Sequence, residues 1–274
     1  MQKISGHEIA QKIIDHLKSG PKPKKILAVV LVGENPASIT FLKQKEKTAK
    51  ELGVDFRIYK FPETIKNDDL RDEIGRIANQ KPVGGTIVQL PLPENINPHS
   101  SLNVIPRKKD VDVLGERSAG VFYTGRNPIL PPSVGVVEEI VNATGFMLHA
   151  SRVAVVGLGF LIGKPIATWL MGKCPEIYLL DEGSDLKILK QADLVISGVG
   201  KAGLIKPEIL KDGAGIIDFG YSINEDDKRK GDFDSNSLVA SGQSLSFYTP
   251  TPDGTGPVLV AKIFENFYKL NPSN

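Results

Sequence analysis

The sequence predicts an α/β protein in which parallel strands alternate with helices. Residues 26–32 and residues 152–156 are short apolar, β-branched runs, as expected for strands covered on both faces of a sheet. Each run is followed by a turn and then by a segment with helical periodicity, and the second run opens a strand, helix, strand series. This order is typical of a doubly wound parallel sheet of Rossmann type. The 274 residues suffice for two modest domains or one large one.

The remaining elements follow from periodicity and from start and stop signals. Asn35 is a candidate helix N-cap, and Pro36 suits the first helical position. In the first half the predicted elements are helix 4–17, strand 26–32, helix 37–52, strand 54–61, helix 67–78 and strand 83–90. In the second half they are helix 133–142, strand 152–156, strand 177–180, helical segment 186–191, strand 194–197, helical turn 207–210, strand 215–219 and helix 258–268. Residues 123–132 are predicted as the crossover between domains, and residues 224–230 as a charged, exposed loop.

Three glycines follow strand 152–156 at the turn into a helix. Gly157, Gly159 and Gly163 permit a tight turn and a close approach of backbone N–H groups to a ligand, and the positive end of the helix favours a pyrophosphate. The spacing is one residue longer than the usual dinucleotide fingerprint. Asp181 and Glu182, at the end of the next strand, could accept hydrogen bonds from a ribose diol. The alternative is a glycine-rich loop that only packs a helix on a sheet.

A lysine interrupts the apolar face of helix 37–52. Phe41, Leu42, Ala49 and Leu52 fall on one side at 3.6 residues per turn, and Lys45 lies in the middle of that side. Two interpretations remain open at this point. A buried lysine would have a lowered pKa and could take part in proton transfer. Alternatively, its ammonium group could reach the surface along its own methylenes.

Two further segments end or follow strand 83–90. Gln89 begins the run Gln-Leu-Pro-Leu-Pro, and a side chain at the carboxyl end of a parallel strand points into the region where ligands bind. The alternating prolines force a sharp exit and are compatible with a cis peptide, although a plain strand-ending turn is the simpler interpretation. The segment Lys-Asp-Val-Asp at residues 109–112 is by default a solvated loop.

Composition excludes several other classes of protein. The net charge of +2 is spread along the chain, which predicts no nucleic-acid partner and no membrane surface. The single Cys174 excludes an internal disulfide and a cysteine-cluster metal site, and no metal is predicted. A reducing cytoplasm is the expected location. We find no signal-peptide pattern and no apolar run long enough to span a bilayer.

Five segments together resemble one family, the bifunctional methylenetetrahydrofolate dehydrogenase/cyclohydrolases, over nearly the whole chain. They are LAVVLVGENPAS at residues 27–38, TIVQLPLP at 86–93, KDVD at 109–112, VVG…IGKP at 155–165 and TPTPDGTGP at 249–257. The resemblance implies oxidation of methylene-tetrahydrofolate with a nicotinamide cofactor and hydrolysis of the methenyl product to formyl-tetrahydrofolate. It also implies a cleft between a folate-binding catalytic domain, residues 1–122 plus 255–274, and a Rossmann domain, residues 123–254. A homodimer built through the Rossmann domains is implied as well.

The resemblance also implies roles for individual residues. Lys45 matches the lysine that assists hydrolysis, with Gln89 hydrogen-bonded to it, and Asp112 matches the aspartate that binds the pterin. Phe41, Pro91, Gly256 and Pro257 match substrate-binding positions. With the glycine motif, the resemblance assigns the cofactor to Gly157, Leu158, Gly159, Gly163, Lys164, Asp181, Glu182, Gly198 and Gly200.

Two departures from the family pattern bear on function. Phe41 stands where the family has a tyrosine, so a hydroxyl beside the lysine is lost and hydrolysis is expected to weaken more than oxidation. Leu158 and Gly159 replace an Arg-Ser pair, and Asp181 and Glu182 replace a His-Ser pair. The resemblance therefore indicates NADP, whereas these residues favour NAD, and Lys164 or Lys201 could still reach a 2′-phosphate.

Two other functions compete with the bifunctional enzyme. The loss of the hydroxyl at Phe41 would suit a monofunctional NAD-linked methylenetetrahydrofolate dehydrogenase with weak hydrolysis. A non-catalytic dinucleotide-binding or regulatory protein would need neither Lys45 within an apolar face nor Gln89 at a strand end.

Overall fold

The computed structural model describes residues 2–223 and 229–272, which form two compact units. One unit comprises Met1–Gln11 and Ser133–Leu259 and is called here the Gly157 unit. The other comprises Lys12–Pro132 and Val260–Asn274 and is called the Lys45 unit. Within the described residues, no helix is long and apolar enough to cross a bilayer.

The elements are named in chain order. The strands are β1 (Gln2–Lys3), β2 (Ile26–Val32), β3 (Asp55–Phe61), β4 (Val83–Val88), β5 (Arg152–Val156), β6 (Glu176–Leu180), β7 (Leu194–Ser197), β8 (Gly215–Asp218), β9 (Ser222–Ile223), β10 (Arg229–Lys230) and β11 (Phe247–Tyr248). The α-helices are α1 (Gly6–Ser19), α2 (Pro36–Leu52), α3 (Asn67–Ala78), α4 (Pro98–Leu102), α5 (Glu116–Tyr123), α6 (Pro132–Thr144), α7 (Gly163–Leu170), α8 (Leu238–Ser241) and α9 (Thr255–Leu270). Short 3₁₀ helices cover Arg107–Lys109, Leu148–Ala150, Leu186–Gln191 and Pro207–Ile209.

The Lys45 unit is built on a parallel sheet of strand order β3-β2-β4. Every residue of the central strand β2 is buried, which explains its unbroken apolar sequence. Helix α9 packs closely on the sheet, since a Cβ on Gly85 would lie 2.8 Å from the Phe267 ring. Helix α2 starts as predicted: the Asn35 side chain accepts a hydrogen bond from the Ser38 backbone N–H at 3.0 Å, and Pro36 is the first helical residue.

Six strands of the Gly157 unit form a parallel sheet of order β1-β11-β8-β7-β5-β6, and β9 and β10 form a separate antiparallel pair. This sheet confirms the predicted α/β fold class with a Rossmann-type parallel sheet. Every residue of β7 and β8 is buried, as expected for parallel strands covered on both faces. One cluster contains Val156, Val195, Ile216, Leu189 and Phe233.

The division into units differs from the predicted domain boundaries at residues 1–11, 123–132 and 255–259. Residues 1–11 belong to the Gly157 unit because β1 pairs with β11 there. Residues 123–132 belong to the Lys45 unit, where the Asn266 side chain donates to the Leu130 carbonyl at 2.8 Å. Both assignments depend on contacts between residues far apart in sequence, which composition and periodicity do not reveal.

Several short elements were predicted differently or not at all. The segments at 186–191 and 207–210 are 3₁₀ helices (Leu186–Gln191 and Pro207–Ile209), and α4, α5, α8 and β11 were not predicted. Each is too short for a hydrophobic period to be recognised. Of the predicted loop 224–230, residues 224–228 lie outside the described residues, and β10 pairs antiparallel with β9.

Candidate active site

Lys45 is buried, with 3% of its surface exposed. The interpretation in which its ammonium group reaches solvent is therefore wrong. Helix α2 turns Lys43, Lys47 and Lys50 outward and Lys45 inward, together with Leu42 and Ala49. Lys45 Nζ donates to Gln89 Oε1 at 2.9 Å and lies 4.8 Å from the centroid of the Phe41 ring. The aromatic face and the amide oxygen together stabilise a cation that has lost its hydration.

Gln89 is held in a fixed orientation at the end of β4. Its backbone N–H donates to the Val30 carbonyl at 2.9 Å, and its side-chain Nε2 donates to the Leu90 carbonyl at 2.9 Å. The Ser38 hydroxyl, from α2, donates to the same carbonyl at 3.3 Å. The amide oxygen is thus turned toward Lys45. The Leu90–Pro91 peptide is cis, and Pro91 itself is exposed.

The two aspartates of the Lys-Asp-Val-Asp segment have different environments, and the expectation of a solvated loop is wrong. Asp110 is 2% exposed and accepts hydrogen bonds from the backbone N–H groups of Leu114 at 3.2 Å and Gly115 at 2.9 Å. Lys109 reaches the end of α3, where Nζ donates to the Ala78 carbonyl at 2.7 Å. Asp110 and Lys109 therefore hold the backbone, whereas Asp112 is only partly buried.

Lys45 and Asp112 interact electrostatically, and burial shifts both toward their neutral forms. Burial lowers the pKa of Lys45, and attraction to Asp112 opposes this in part. Burial raises the pKa of Asp112 to about 6, an effect that Lys45 opposes and that Asp110 reinforces. A buried lysine with a lowered pKa that interacts with a carboxyl group is a candidate for proton transfer.

The glycine turn of the Gly157 unit has the geometry of a phosphate cradle. Gly157 has φ +85°, and a Cβ on Gly163 would lie 1.9 Å from the Gly157 carbonyl oxygen. The first turn of α7 is therefore pressed against the loop that follows β5. A Cβ on Gly159 would meet no atom within 4 Å, so this part of the loop is open to a ligand. The N-terminus of α7 and the exposed backbone of Gly159 fit a dinucleotide pyrophosphate.

The other predicted cofactor residues lie at the same edge of the sheet. Gly157, Asp181 and Gly198 directly follow β5, β6 and β7, whose carboxyl ends share that edge. A Cβ on Gly198 would lie 2.5 Å from Ile162 Cγ2, and Gly200 has φ +80°. Leu158 is partly exposed, and four further side chains of this edge are exposed: Lys164, Asp181, Glu182 and Lys201.

The predicted residues thus fall into two groups, one in each unit. Phe41, Lys45, Gln89, Pro91 and Asp112 belong to the Lys45 unit, and the dinucleotide residues belong to the Gly157 unit. Gly256 and Pro257 lie in the first turn of α9 and are also part of the Gly157 unit.

Sequence reasoning missed three polar residues close to these groups. Ser38 was assigned only to helix 37–52 and to the matching segment 27–38, and its contact with the Leu90 carbonyl depends on tertiary packing. Asp218 and Asp232 are both buried, at 2% and 0% exposed. Asp218 ends the apolar run of β8. The sequence could have identified it as a candidate site residue, because a carboxylate at the carboxyl end of a buried parallel strand lies at the edge of the sheet where ligands bind. No comparable sequence pattern marks Asp232.

The Gly157 unit has the parallel sheet and the glycine turn after β5 that are typical of Rossmann-type dinucleotide-binding proteins. Comparison with known proteins specifies the class further. The family described as tetrahydrofolate dehydrogenase/cyclohydrolase matches this chain twice, with its catalytic domain over residues 4–112 and its NAD(P)-binding domain over residues 131–273. The chain belongs to this family.

Individual relatives agree over almost their whole length. The bifunctional protein FolD of Listeria innocua is 30% identical over 264 residues, which cover 96% of this chain and 91% of that protein. The structure of the Campylobacter jejuni bifunctional enzyme FolD has a TM-score of 0.91 and 30% identity, covering 97% of each chain. The Trypanosoma brucei FolD structure, a complex with NADP cofactor and inhibitor, has a TM-score of 0.90 and 26% identity, covering 98% of this chain and 96% of that one.

Proposed function

We propose that this protein oxidises 5,10-methylenetetrahydrofolate to the 5,10-methenyl form with NAD(P)⁺ and hydrolyses that product to 10-formyltetrahydrofolate. Membership of the tetrahydrofolate dehydrogenase/cyclohydrolase family supports the pair of reactions. The observation that carries the proposal is the buried Lys45, hydrogen-bonded to Gln89 and paired electrostatically with Asp112.

The hydrolytic step is assigned to Lys45. A water must reach the methenyl carbon, and a proton must move to a ring nitrogen as the bridge opens. Burial lowers the pKa of the Lys45 ammonium, which favours transfer of its proton, and the Gln89 amide oxygen orients it. Asp112 opposes the loss of charge on Lys45 and offers a carboxyl group to the polar edge of the pterin.

The oxidative step needs positioning more than acid–base help. The nicotinamide cofactor supplies the chemistry, by accepting hydride. The contribution of the chain is to hold the folate, for which the Phe41 ring offers a stacking face and Asp112 a polar anchor. The turn of Gly157, Gly159 and Gly163 would hold the pyrophosphate.

Substituting Lys45 tests the assignment of the hydrolytic step. We expect Lys45→Met to reduce methenyltetrahydrofolate hydrolysis by roughly 10²-fold or more, since general acid–base groups contribute about 10²–10⁴, and to affect oxidation less. Lys47→Met, an exposed lysine of the same helix, is the matched control. Wild-type protein that oxidises but does not accelerate hydrolysis would favour the monofunctional dehydrogenase. Wild-type protein without turnover on either cofactor would favour the non-catalytic binding protein.

Phe41 is proposed to limit the hydrolytic step, because it places an aromatic face without a hydroxyl 4.8 Å from Lys45 Nζ. We expect Phe41→Tyr to raise the ratio of hydrolysis to oxidation, measured on the same preparation. An unchanged ratio would contradict this role. Phe56→Tyr, on β3 and paired with Phe264, provides an aromatic control on a different element.

The choice of dinucleotide is proposed to favour NAD. Asp181 and Glu182 are exposed at the end of β6, where carboxylates suit a ribose diol and repel a 2′-phosphate. Family resemblance favours NADP, and the exposed Lys164 and Lys201 offer possible cations for it. Initial rates of methylenetetrahydrofolate oxidation with each cofactor decide between them. If NAD is preferred, replacing Asp181 and Glu182 by Asn and Gln should shift the preference toward NADP.

We also propose a homodimer that acts in the cytoplasm. Strand β6 is an edge of its sheet, and its Leu179 is 48% exposed, with Met171 nearby in sequence at 58%. An exposed apolar edge strand favours pairing with a second chain. Light scattering after size-exclusion chromatography measures the mass directly, and a monomeric mass would contradict the dimer.

A further inference from the structure

A buried carboxylate holds the loop that follows β7. Asp232 is fully buried, and its Oδ2 accepts hydrogen bonds from the Ser197 hydroxyl at 2.6 Å and the Val199 backbone N–H at 2.8 Å. Its Oδ1 accepts from the Lys201 backbone N–H at 2.7 Å. Both oxygens of one side chain therefore fix the backbone of residues 198–201, called here the β7 loop.

A second carboxylate fixes the segment that carries Asp232. Asp218, at the end of β8, accepts from the Phe233 backbone N–H at 2.9 Å and the Gly220 backbone N–H at 2.7 Å. The fit is close, because a Cβ on Gly231 would lie 2.1 Å from Asp218 Oδ2 and one on Gly220 would lie 2.3 Å from Asp232 Cγ. Hydrogen bonds thus connect Asp218, at the end of β8, to the segment that carries Asp232, and connect Asp232 to the β7 loop.

The β7 loop forms one wall of the dinucleotide turn. A Cβ on Gly157 would lie 2.9 Å from Val199 Cγ2 and 3.1 Å from the Gly198 carbonyl oxygen, and one on Gly198 would lie 2.5 Å from Ile162. The loop after β5 and the β7 loop therefore pack against each other at the carboxyl edge of the sheet. A shift of the β7 loop changes the shape of the surface that faces the dinucleotide.

We propose that Asp232 is a positioning residue for the dinucleotide, which acts by holding the β7 loop in its binding conformation. The inference rests on the proposed function, since it places the NAD(P) at this edge of the sheet. This role requires a carboxylate at position 232. Both oxygens of a carboxylate accept hydrogen bonds, whereas an amide has an accepting oxygen on one side and a donating N–H₂ group on the other. In an Asn at this position, that N–H₂ group would face a backbone N–H donor.

The test compares Asp232→Asn with Asp193→Asn. Asp193 is the matched control because its carboxylate also accepts a backbone N–H, from Arg152 at 2.8 Å, but precedes β7 at the opposite edge of the sheet. Binding of NAD and NADP is measured by isothermal titration calorimetry, and methenyltetrahydrofolate hydrolysis is measured without dinucleotide. Thermal unfolding reports whether each variant is folded.

We expect Asp232→Asn to weaken dinucleotide binding by about tenfold or more, the scale of one lost hydrogen bond to a charged group. The KM for the dinucleotide should rise with little change in kcat, and dinucleotide-free hydrolysis should stay near wild type. Asp193→Asn should bind dinucleotide like the wild type.

Two results would overturn the inference: wild-type dinucleotide affinity in Asp232→Asn, or equal losses of binding and of hydrolysis, which would indicate a general structural role. If Asp232→Asn does not fold, Ser197→Ala decides, because it removes one donor to the carboxylate and is expected to weaken dinucleotide binding severalfold. Wild-type affinity in Ser197→Ala would then overturn the inference. Wild-type protein that binds no dinucleotide would instead refute the proposed function.

Discussion

Gly163→Ala is the sharpest test of the geometry of the dinucleotide turn. In an ordinary helix this substitution is stabilising by about 1 kcal/mol, because alanine has the higher helix propensity. Here the added Cβ would lie 1.9 Å from the Gly157 carbonyl oxygen, 2.8 Å from Leu158 Cα and 2.9 Å from Gly157 C. All of these are backbone atoms, so no flexible side chain can move aside. Ordinary van der Waals contact begins at 3.4 Å, so α7 and the loop after β5 must separate by well over 1 Å.

The expected cost follows from this separation. Overpacking of a tight interior contact lowers the free energy of unfolding by about 1–3 kcal/mol. Gly163→Ala should therefore destabilise the protein, whereas helix propensity alone predicts stabilisation. Because the loop that moves is the proposed pyrophosphate site, dinucleotide affinity should fall by at least about tenfold, which corresponds to about 1.4 kcal/mol.

Urea denaturation and calorimetric titration with NAD and NADP measure the two effects. Gly159→Ala is the matched control: it lies in the same loop, and its Cβ would meet no atom within 4 Å. We expect it to fold with near wild-type stability. A Gly163→Ala protein as stable as wild type, with unchanged dinucleotide affinity, would refute both the packing of α7 on the loop and its role as a cradle.

Two further predictions concern buried ionisable groups. Burial raises the pKa of Asp218 to about 7, so between pH 4 and 7 the folded state binds a proton that the unfolded state has released. The free energy of unfolding should therefore fall as pH rises through this range, by up to about 1.4 kcal/mol per pH unit. Asp218→Asn should flatten the dependence of Tm on pH. Parallel plots of Tm against pH for wild type and Asp218→Asn would contradict this. Lys109 Nζ donates to the carbonyls of Ala78 at 2.7 Å and Gln80 at 2.9 Å at the end of α3. Lys109→Met should therefore lower the free energy of unfolding by about 1–3 kcal/mol. Lys108→Met, at an exposed position, should change it by no more than about 0.5 kcal/mol. Equal urea midpoints for the two variants would contradict a stabilising role of Lys109 at the end of α3.

The fold was largely predictable because its signals are local. The apolar run of β2, the Asn35–Pro36 helix start and the β5 run followed by glycines each lie within a few residues, and all three are found where they were predicted. Hydrophobic period and turn chemistry act over that distance. The elements that were missed, such as α5 and β11, are short and owe their conformation to their neighbours in the fold.

The candidate site was predictable only in part. Lys45 was marked by its place in an apolar stripe, but periodicity alone could not decide between a buried ammonium group and one that reaches solvent. The decision depends on the Gln89 oxygen 2.9 Å away, 44 residues along the chain. Asp110 appeared to belong to a solvated loop, yet it is buried because backbone N–H groups of the following turn supply its hydrogen bonds.

The sequence by itself therefore determined the order of the longer strands and helices, the parallel α/β class, the place of Lys45 on the apolar side of α2 and the glycine turn after β5. The tertiary structure alone decided which charged groups are desolvated, which of the two aspartates holds the backbone, and how Asp218 and Asp232 fix the β7 loop. The physical reason is the separation in sequence of the residues that interact. Propensity and periodicity depend on neighbours in sequence, whereas burial, pKa and hydrogen bonding of buried polar groups depend on residues that meet only when the chain is folded.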